Sequence, residues 1–488
     1  MGGWRFAGAV TYGHKRAIGR LAHLFGLIAV VCALAAFPGA THAVGAGRLY
    51  AQNPCTPVYA SADTHSTLLT QLIGGSDVTG EQSVSAGGTT WEQARIWSGV
   101  AGYIPADQLG PQPPQSPSEG ACSFPGLPDT PNAPIPTDTG PVAFAHHGVV
   151  SSPATVYTRP GDDSLPVAAA PVGASVDTLT WTADASGRPW YQVSTTAGTG
   201  WIWAADVALD APSPASRTVN GRPIWTPVAG KGMWFTNYLA HHSDMDTLMR
   251  AAKFAGVTHV YAEVAITRYG FYGADSLARL LPAAHKAGIA VIAWVYPTLN
   301  DIGADLRMTQ AVLQYVGPGG ERPDGYATDV EEVDDSASVY TYGEMVRALA
   351  GPDTLLVAAV FHPYAQTYYP YAAVAASWNV LAPMDYWHSR GDHAYSPQEV
   401  ANFVANSLTT IRASMSALGT LTPLPIEELG QTYDMYSSDG VDTGSGPTSS
   451  EVTADLATAR AYGCIGASFF EWQTASQAEW GALTAFKW

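Results

Sequence analysis

A chain of 488 residues, 47% hydrophobic and only 13% charged, has the make-up of folded globular domains and is long enough for more than one. Its formal net charge of −18 repels phosphate backbones and anionic lipid headgroups, so nucleic acid is not expected as a partner.

The N-terminal residues read as a signal peptide over 1–43. Lys15, Arg16 and Arg20 precede an apolar run at 24–37. Pro38 and Gly39 break the run, and Ala40-Thr41-His42-Ala43 offers small residues for cleavage. The run is shorter than the roughly 20 residues of a membrane span; an uncleaved N-terminal anchor is the competing reading. The expectation is a secreted protein, extracellular or cell-wall associated, with no membrane contact after signal removal. Three cysteines follow the signal. Cys55 and Cys122 bracket the first small unit and could tie its ends together in an oxidising compartment. Cys464 lies in the apolar run YGCIGASFF, where a buried, inert thiol is expected.

Two segments repeat one another. The first passes from Val58-Tyr59 through Trp91-Glu92-Gln93 to Gly102-Tyr103-Ile104. The second passes from Val156-Tyr157 through Trp190-Tyr191-Gln192 to Gly200-Trp201-Ile202. Both alternate β-branched and aromatic residues with Gly, Asp and Ser turns, which predicts small all-β units at 48–110 and 143–210. Their late Trp and Gly-aromatic-Ile pattern resembles bacterial SH3-like domains. That resemblance implies modules that tether an enzyme to cell-wall material or space it from the wall. Pro-rich linkers at 111–142 and 211–229 separate the units and lead into the last region.

From 230 to 488, apolar runs of strand length alternate with amphipathic helical stretches. Strands are predicted at 232–237, 259–264, 290–296, 325–331, 355–361, 380–386, 428–433 and 465–472. Helices are predicted at 245–254, 276–286, 304–315 and 451–462, and Gly256, Gly288 and Gly463 read as left-handed caps. The fifth crossover, around Tyr368 to Ala376, carries the weakest pattern. Eight βα units in this length predict an α/β (β/α)8 TIM barrel. The fold class expected for the whole chain is two small all-β SH3-like barrels followed by that TIM barrel. An open doubly wound sheet is disfavoured, because no Gly-rich phosphate loop follows the first strand.

Barrel enzymes carry their chemistry at the C-terminal ends of the strands. Those ends offer Glu263, Trp294, Tyr296, Asp329, Glu331, His362, Asp385, Tyr386, Trp387, Gln431, Tyr433, Glu471 and Trp472. Carboxylates for proton transfer, set among aromatic faces for sugar rings, match glycosidic bond cleavage. On the fourth strand Asp329 and Glu331 share a face, because alternate residues of a strand do. Two close carboxylates cannot both ionise freely, so one keeps a proton near neutral pH. Glu332 points to the other face.

The run Asp324-Gly325-Tyr326-Ala327-Thr328-Asp329-Val330-Glu331 resembles the fourth strand of glycoside hydrolase family 18, D-G-x-D-x-D-x-E. Met384-Asp385-Tyr386-Trp387 resembles that family's M-x-Y-D, and Trp472 its eighth-strand Trp. The resemblance implies substrate-assisted hydrolysis, one of the exceptions to the two-carboxylate scheme. Glu331 would be the proton donor, Asp329 and Tyr386 would orient the sugar's acetamido group, and Trp472 would floor the subsite. Asp385, Trp387, Tyr296, Trp294, Glu263, Tyr433 and Glu471 are the further substrate-binding candidates. Ala327 departs from the family's middle Asp, and Trp387 from its final acid. The partner expected is a polysaccharide or cell-wall glycan bound by a monomer, with no cofactor and no metal. His241, His242 and Asp244, and His388, Asp392 and His393, do not follow a zinc spacing. A lysozyme-like peptidoglycan hydrolase resembling family 25 is the runner-up, although the first strand lacks that family's acid. The residues also admit a retaining enzyme that pairs Glu331 with Glu427 or Glu428, or an inactive glycan-binding wall protein.

Overall fold

The computed structural model describes residues 47–488 except 54, 98, 115–139, 196–197, 211–216, 332–335, 367–368, 391–394, 417–422 and 434–445. The signal segment and most of the first Pro-rich linker lie outside the described residues.

The sequence repeat is a repeat of topology. The first antiparallel sheet runs from Gly47–Ala51 to Leu109–Gly110. Its strands, numbered in chain order, lie third, second, sixth, fifth, fourth, first, seventh. The second sheet, from His147–Val150 to Val207–Leu209, has the same order, with the short Val142–Ala143 strand added against its fourth. The repeated Tyr and Trp meet in both: Tyr59 packs edge-on to Trp91 at 5.7 Å, and Tyr157 to Trp190 at 5.8 Å. The repeated glycine has a steric reason. A Cβ on Gly102 would come within 2.5 Å of Val58, and one on Gly200 within 2.4 Å of Val156. Trp91 and Trp190 are buried, so the repeat signature marks two small cores. Cys55 is disulfide-bonded, and Cys122 lies outside the described residues.

The last region is a closed barrel of eight parallel strands: β1 (Gly230–Phe235), β2 (His259–Ile266), β3 (Ala290–Tyr296), β4 (Gly325–Val330), β5 (Leu356–Phe361), β6 (Val380–Met384), β7 (Glu427–Gln431) and β8 (Gly466–Phe470). Each pairs with its sequence neighbours, and β1 closes the ring on β8. The helices around it are α1 (Asn237–His242), α2 (Met245–Ala255), α3 (Ala274–Ala287), α4 (Ile302–Leu313), α5 (Ser336–Ala350), α6 (Tyr371–Ser377), α7 (Pro397–Ser416), α8 (Ser449–Ala461) and α9 (Gln477–Ala485). Gly256 and Gly288 close α2 and α3 in the left-handed conformation, at φ 72° and 71°, which costs a glycine nothing. The weakly patterned fifth crossover holds the short α6.

Side chains on alternate strand positions fill the interior, among them Tyr261, Ile292, Val357, Val380, Ala382 and Leu429. Val219, Ile224, Trp225 and Val228, from the segment before β1, pack against this same core. The N-terminal end of the barrel is thereby covered.

Both β units pack on the barrel. In the first, the Leu69 carbonyl accepts from the Asp244 amide at 2.8 Å, Thr70 and Ser243 hydroxyls meet at 2.7 Å, and Trp97 lies edge-on to Trp472 at 5.7 Å. In the second, the Leu209 amide donates to Glu344 of α5 at 2.7 Å, and the Gly187 carbonyl accepts from the Gly303 amide at 2.9 Å.

Candidate active site

The C-terminal barrel end gathers carboxyls from β2 and β4. Asp329 is 6% exposed, while Glu331, just past the end of β4, is half-buried. Burial and the neighbouring Glu331 push the Asp329 carboxyl well above the usual carboxylate range, and Glu263 adds to the effect. The physics is simple: a dry site next to a like charge disfavours the ionised form. Tyr296, at the end of β3, donates its hydroxyl to Glu331 Oε2 at 3.4 Å. Glu263 on β2 accepts from the Asn237 amide at 3.3 Å and from the Tyr272 hydroxyl. Burial pushes its carboxyl up as well.

Aromatic rings line the same end. Tyr386 packs edge-on to Tyr433 at 5.5 Å, and Tyr433 edge-on to Phe470 at 5.7 Å. Phe470 meets Trp294 at 5.9 Å, and Trp294 meets Trp234 at 5.1 Å. Burial pushes the Tyr386 and Tyr433 phenols up, and nearby carboxyls add to it. Both hydroxyls therefore stay protonated across the neutral range and can donate. Glu471 accepts from the Gln473 side-chain amide, which also reaches Thr236. The arrangement gathers carboxyls whose ionised form is disfavoured, protonated phenols and aromatic rings at one strand end.

The structure thus brings together Asp329, Glu331, Glu263, Trp294, Tyr296, Tyr386 and Tyr433, with Glu471 beside Tyr433 through its charge. It places three sequence candidates elsewhere. Trp472 is fully buried against Trp97, Trp480 and Phe235. Strand β8 ends at Phe470, two residues earlier than expected, so Phe470 rather than Trp472 joins the aromatic group. Asp385 is fully buried and lies by Ser407 of α7 and Asp455 of α8. Trp387 is fully buried too, its indole donating to Glu451 of α8 at 2.8 Å. Asp385 and Trp387 flank Tyr386 past the end of β6, where the chain turns, the Tyr386 amide donating to the Met384 carbonyl at 2.8 Å, and both side chains go to α7 and α8 instead.

Neither Glu427 nor Glu428 can partner Glu331. Glu427 sits within the barrel, held by His259 at 2.6 Å and by the Tyr261 hydroxyl. Glu428 points outward to Asp455 and Asp385. His388 bonds Glu451 at 2.6 Å, while Glu332, Asp392 and His393 lie outside the described residues. Among the described residues, no group of three or more His, Cys, Asp or Glu side chains is placed to hold a metal ion. Sequence reasoning missed Phe470, Tyr272 and Gln473. Phe470 was within reach, since it continues the inward alternation of Gly466 and Ser468; the other two are brought in by loops.

The chain matches no family model and no curated relative. Among solved structures it is similar to the spore cortex-lytic enzyme SleL of Bacillus cereus, with 11% identity over 53% of this chain and 75% of that one and a TM-score of 0.41. It is similar to a chitinase from Chromobacterium violaceum, with 13% identity over 53% of this chain and 100% of that one and a TM-score of 0.38. A class V chitinase mutant from Cycas revoluta, solved with (GlcNAc)3, shares 12% identity over 52% of this chain and 99% of that one, with a TM-score of 0.40. At such low likeness, the (β/α)8 assignment rests on the barrel's own strand pairing.

Proposed function

We propose that this chain is a secreted glycoside hydrolase acting on a β-linked amino-sugar glycan of the chitin or cell-wall class. One observation carries the reading: Asp329 and Glu331 lie side by side at an aromatic-lined barrel end, where burial and Glu331 push the Asp329 carboxyl well above the usual carboxylate range. The resemblance of the β4 motif to family 18 supports it. The small β units, in this reading, hold the monomeric enzyme on wall polymer.

The carboxyl pair carries one proton, which burial keeps on Asp329 before sugar binds. A bound sugar's acetamido N–H donates to Asp329 and favours its ionised form, so the proton passes to Glu331. Glu331 delivers it to the glycosidic oxygen as the bond from C1 to that oxygen breaks. The acetamido carbonyl oxygen bonds to C1 in its place, and Tyr386 donates to the developing ring. Water then attacks C1 and gives a proton to Glu331 as the bond from C1 to the acetamido oxygen breaks; that proton returns to Asp329 when the sugar leaves, which restores the pair.

The test is reducing-sugar release from chitin oligomers and from purified peptidoglycan. Glu331→Gln is expected to lose release by about 100-fold or more while still binding the glycan. An unchanged rate in that variant removes the proposed acid. Ala327, in place of the family's middle Asp, favours a second reading, glycan binding without turnover. Binding by the wild type with no release from either substrate would select it.

A further inference from the structure

Ala327 leaves Asp329 without the acidic neighbour that the resembling motif carries on β4. Strand register identifies what stands there instead. Glu263 on β2 pairs with Trp294 on β3, and Trp294 pairs with Ala327 on β4. Residues paired across parallel strands project from the same face of the sheet, with strands about 4.8 Å apart. Glu263, Trp294 and Ala327 therefore form one row on the inner wall, one step below Asp329. Ala327 offers only a methyl group, so the space a longer side chain would take is open to the neighbouring indole.

The indole is fixed in place, edge-on between Trp234 at 5.1 Å and Phe470 at 5.9 Å. Its nitrogen and Asp329 Oδ1 are both fully buried, and neither meets a hydrogen-bond partner. The indole N–H is near enough to favour the ionised form of Asp329. Two complementary buried groups, a donor and an acceptor each without a partner, thus lie on the paired strands β3 and β4. An orphaned buried polar group is costly, so such a pairing is worth keeping.

We infer that Trp294 is a positioning residue for Asp329, its indole N–H taking the place of the missing acid and holding one carboxyl oxygen. The inference rests on the proposed reaction at the same site. An indole N–H donates and never accepts, so Trp294 orients Asp329 without drawing off its proton. The other oxygen of Asp329 is left for the substrate's acetamido N–H. The groups that face Asp329 are Glu331 from β4, Glu263 from β2, Trp294 from β3 and the phenols of Tyr369 and Tyr386. Glu331 and Glu263 are the carboxyls among them, and Glu331, just past the end of β4, is the one on the mouth side.

The experiment follows the Asp329 carboxyl and the Trp294 indole by NMR across pH, beside the pH profile of hydrolysis. In the wild type the Trp294 indole resonance is expected to move with the Asp329 titration, and in Asp329→Asn that movement disappears. Trp294→Phe keeps the ring and removes the donor. It is expected to raise the Asp329 midpoint by about one pH unit, the scale of one hydrogen bond to a charged group. It should also lower kcat about tenfold with little change in KM. An Asp329 midpoint unmoved in Trp294→Phe overturns the inference. Should that variant not fold, an indole resonance that ignores pH in the wild type, or still titrates in Asp329→Asn, overturns it equally. If the wild type hydrolyses no glycan, the reaction falls while the two titrations still decide the role of Trp294.

Discussion

Phe470 and Trp472 are separated by one residue and do unrelated work. Phe470 ends β8 inside the ring of Trp294, Tyr386 and Tyr433. Trp472 has left the strand, its amide donating to the Trp234 carbonyl at 2.8 Å, and its indole is packed away from solvent. Trp472→Ala should therefore act on stability, costing about 3–5 kcal/mol for a buried Trp, with KM on chitin oligomers unchanged. Phe470→Ala should do the reverse, raising KM several-fold with a smaller loss of stability. Denaturant unfolding and steady-state kinetics on both variants check the pair. If Trp472→Ala raises KM and leaves the unfolding midpoint alone, the placement is wrong. For Asp329→Asn, loss of an acid-base group predicts a fall in kcat of more than about tenfold, read from initial rates.

At the scale of elements, the contact of β6 and β7 with α8 decides several fates at once. Helix α8 turns Glu451 and Asp455, four residues apart and so on one face, toward the barrel. Glu451 holds Trp387 and His388. Asp455 meets Asp385 and Glu428, and burial pushes its carboxyl up to about 7. A carboxyl whose folded pKa lies above its unfolded value stabilises the fold fully below the unfolded pKa. That contribution is lost as pH rises through the folded pKa. Stability should thus fall between about pH 4 and about pH 7, the value reached by Asp455. Asp455→Asn should flatten this slope, losing less stability than the wild type across that range in denaturant unfolding. An identical slope in both proteins would dismiss the cluster as its source. Cys464 lies near the same carboxyls and its thiol is pushed up by burial to about 12, which leaves it unreactive at neutral pH.

For the molecule as a whole, the first β unit is joined to the barrel by an apolar contact as well as by the chain. Trp97 on Trp472, together with the Thr70–Ser243 hydroxyl pair and the Gln477 side chain on the Ile96 carbonyl, ties it to the α1–α2 turn and to α9. Trp97→Ala should break this docking at a cost of about 3–5 kcal/mol. Calorimetry should then show an earlier, separate transition of the first unit in place of one cooperative unfolding. A single unshifted transition would mean that the contact contributes little.

Periodicity in the chain is enough to predict the eight barrel strands, the left-handed glycine caps and the twin Tyr–Trp units, because those features depend on local spacing and on burial of one face. The i, i+2 relation likewise places Asp329 and Glu331 together from the sequence alone. What local spacing leaves open is where a strand ends and which wall of the barrel a residue beyond that end will meet. Two residues' difference in the end of β8 moves Trp472 from the site to a domain interface. The packing of α8 draws Asp385 and Trp387 behind the sheet. The partner proposed for Asp329 also comes from tertiary structure, since Trp294 lies on another strand and only the β3–β4 register brings the two strands' inner faces together.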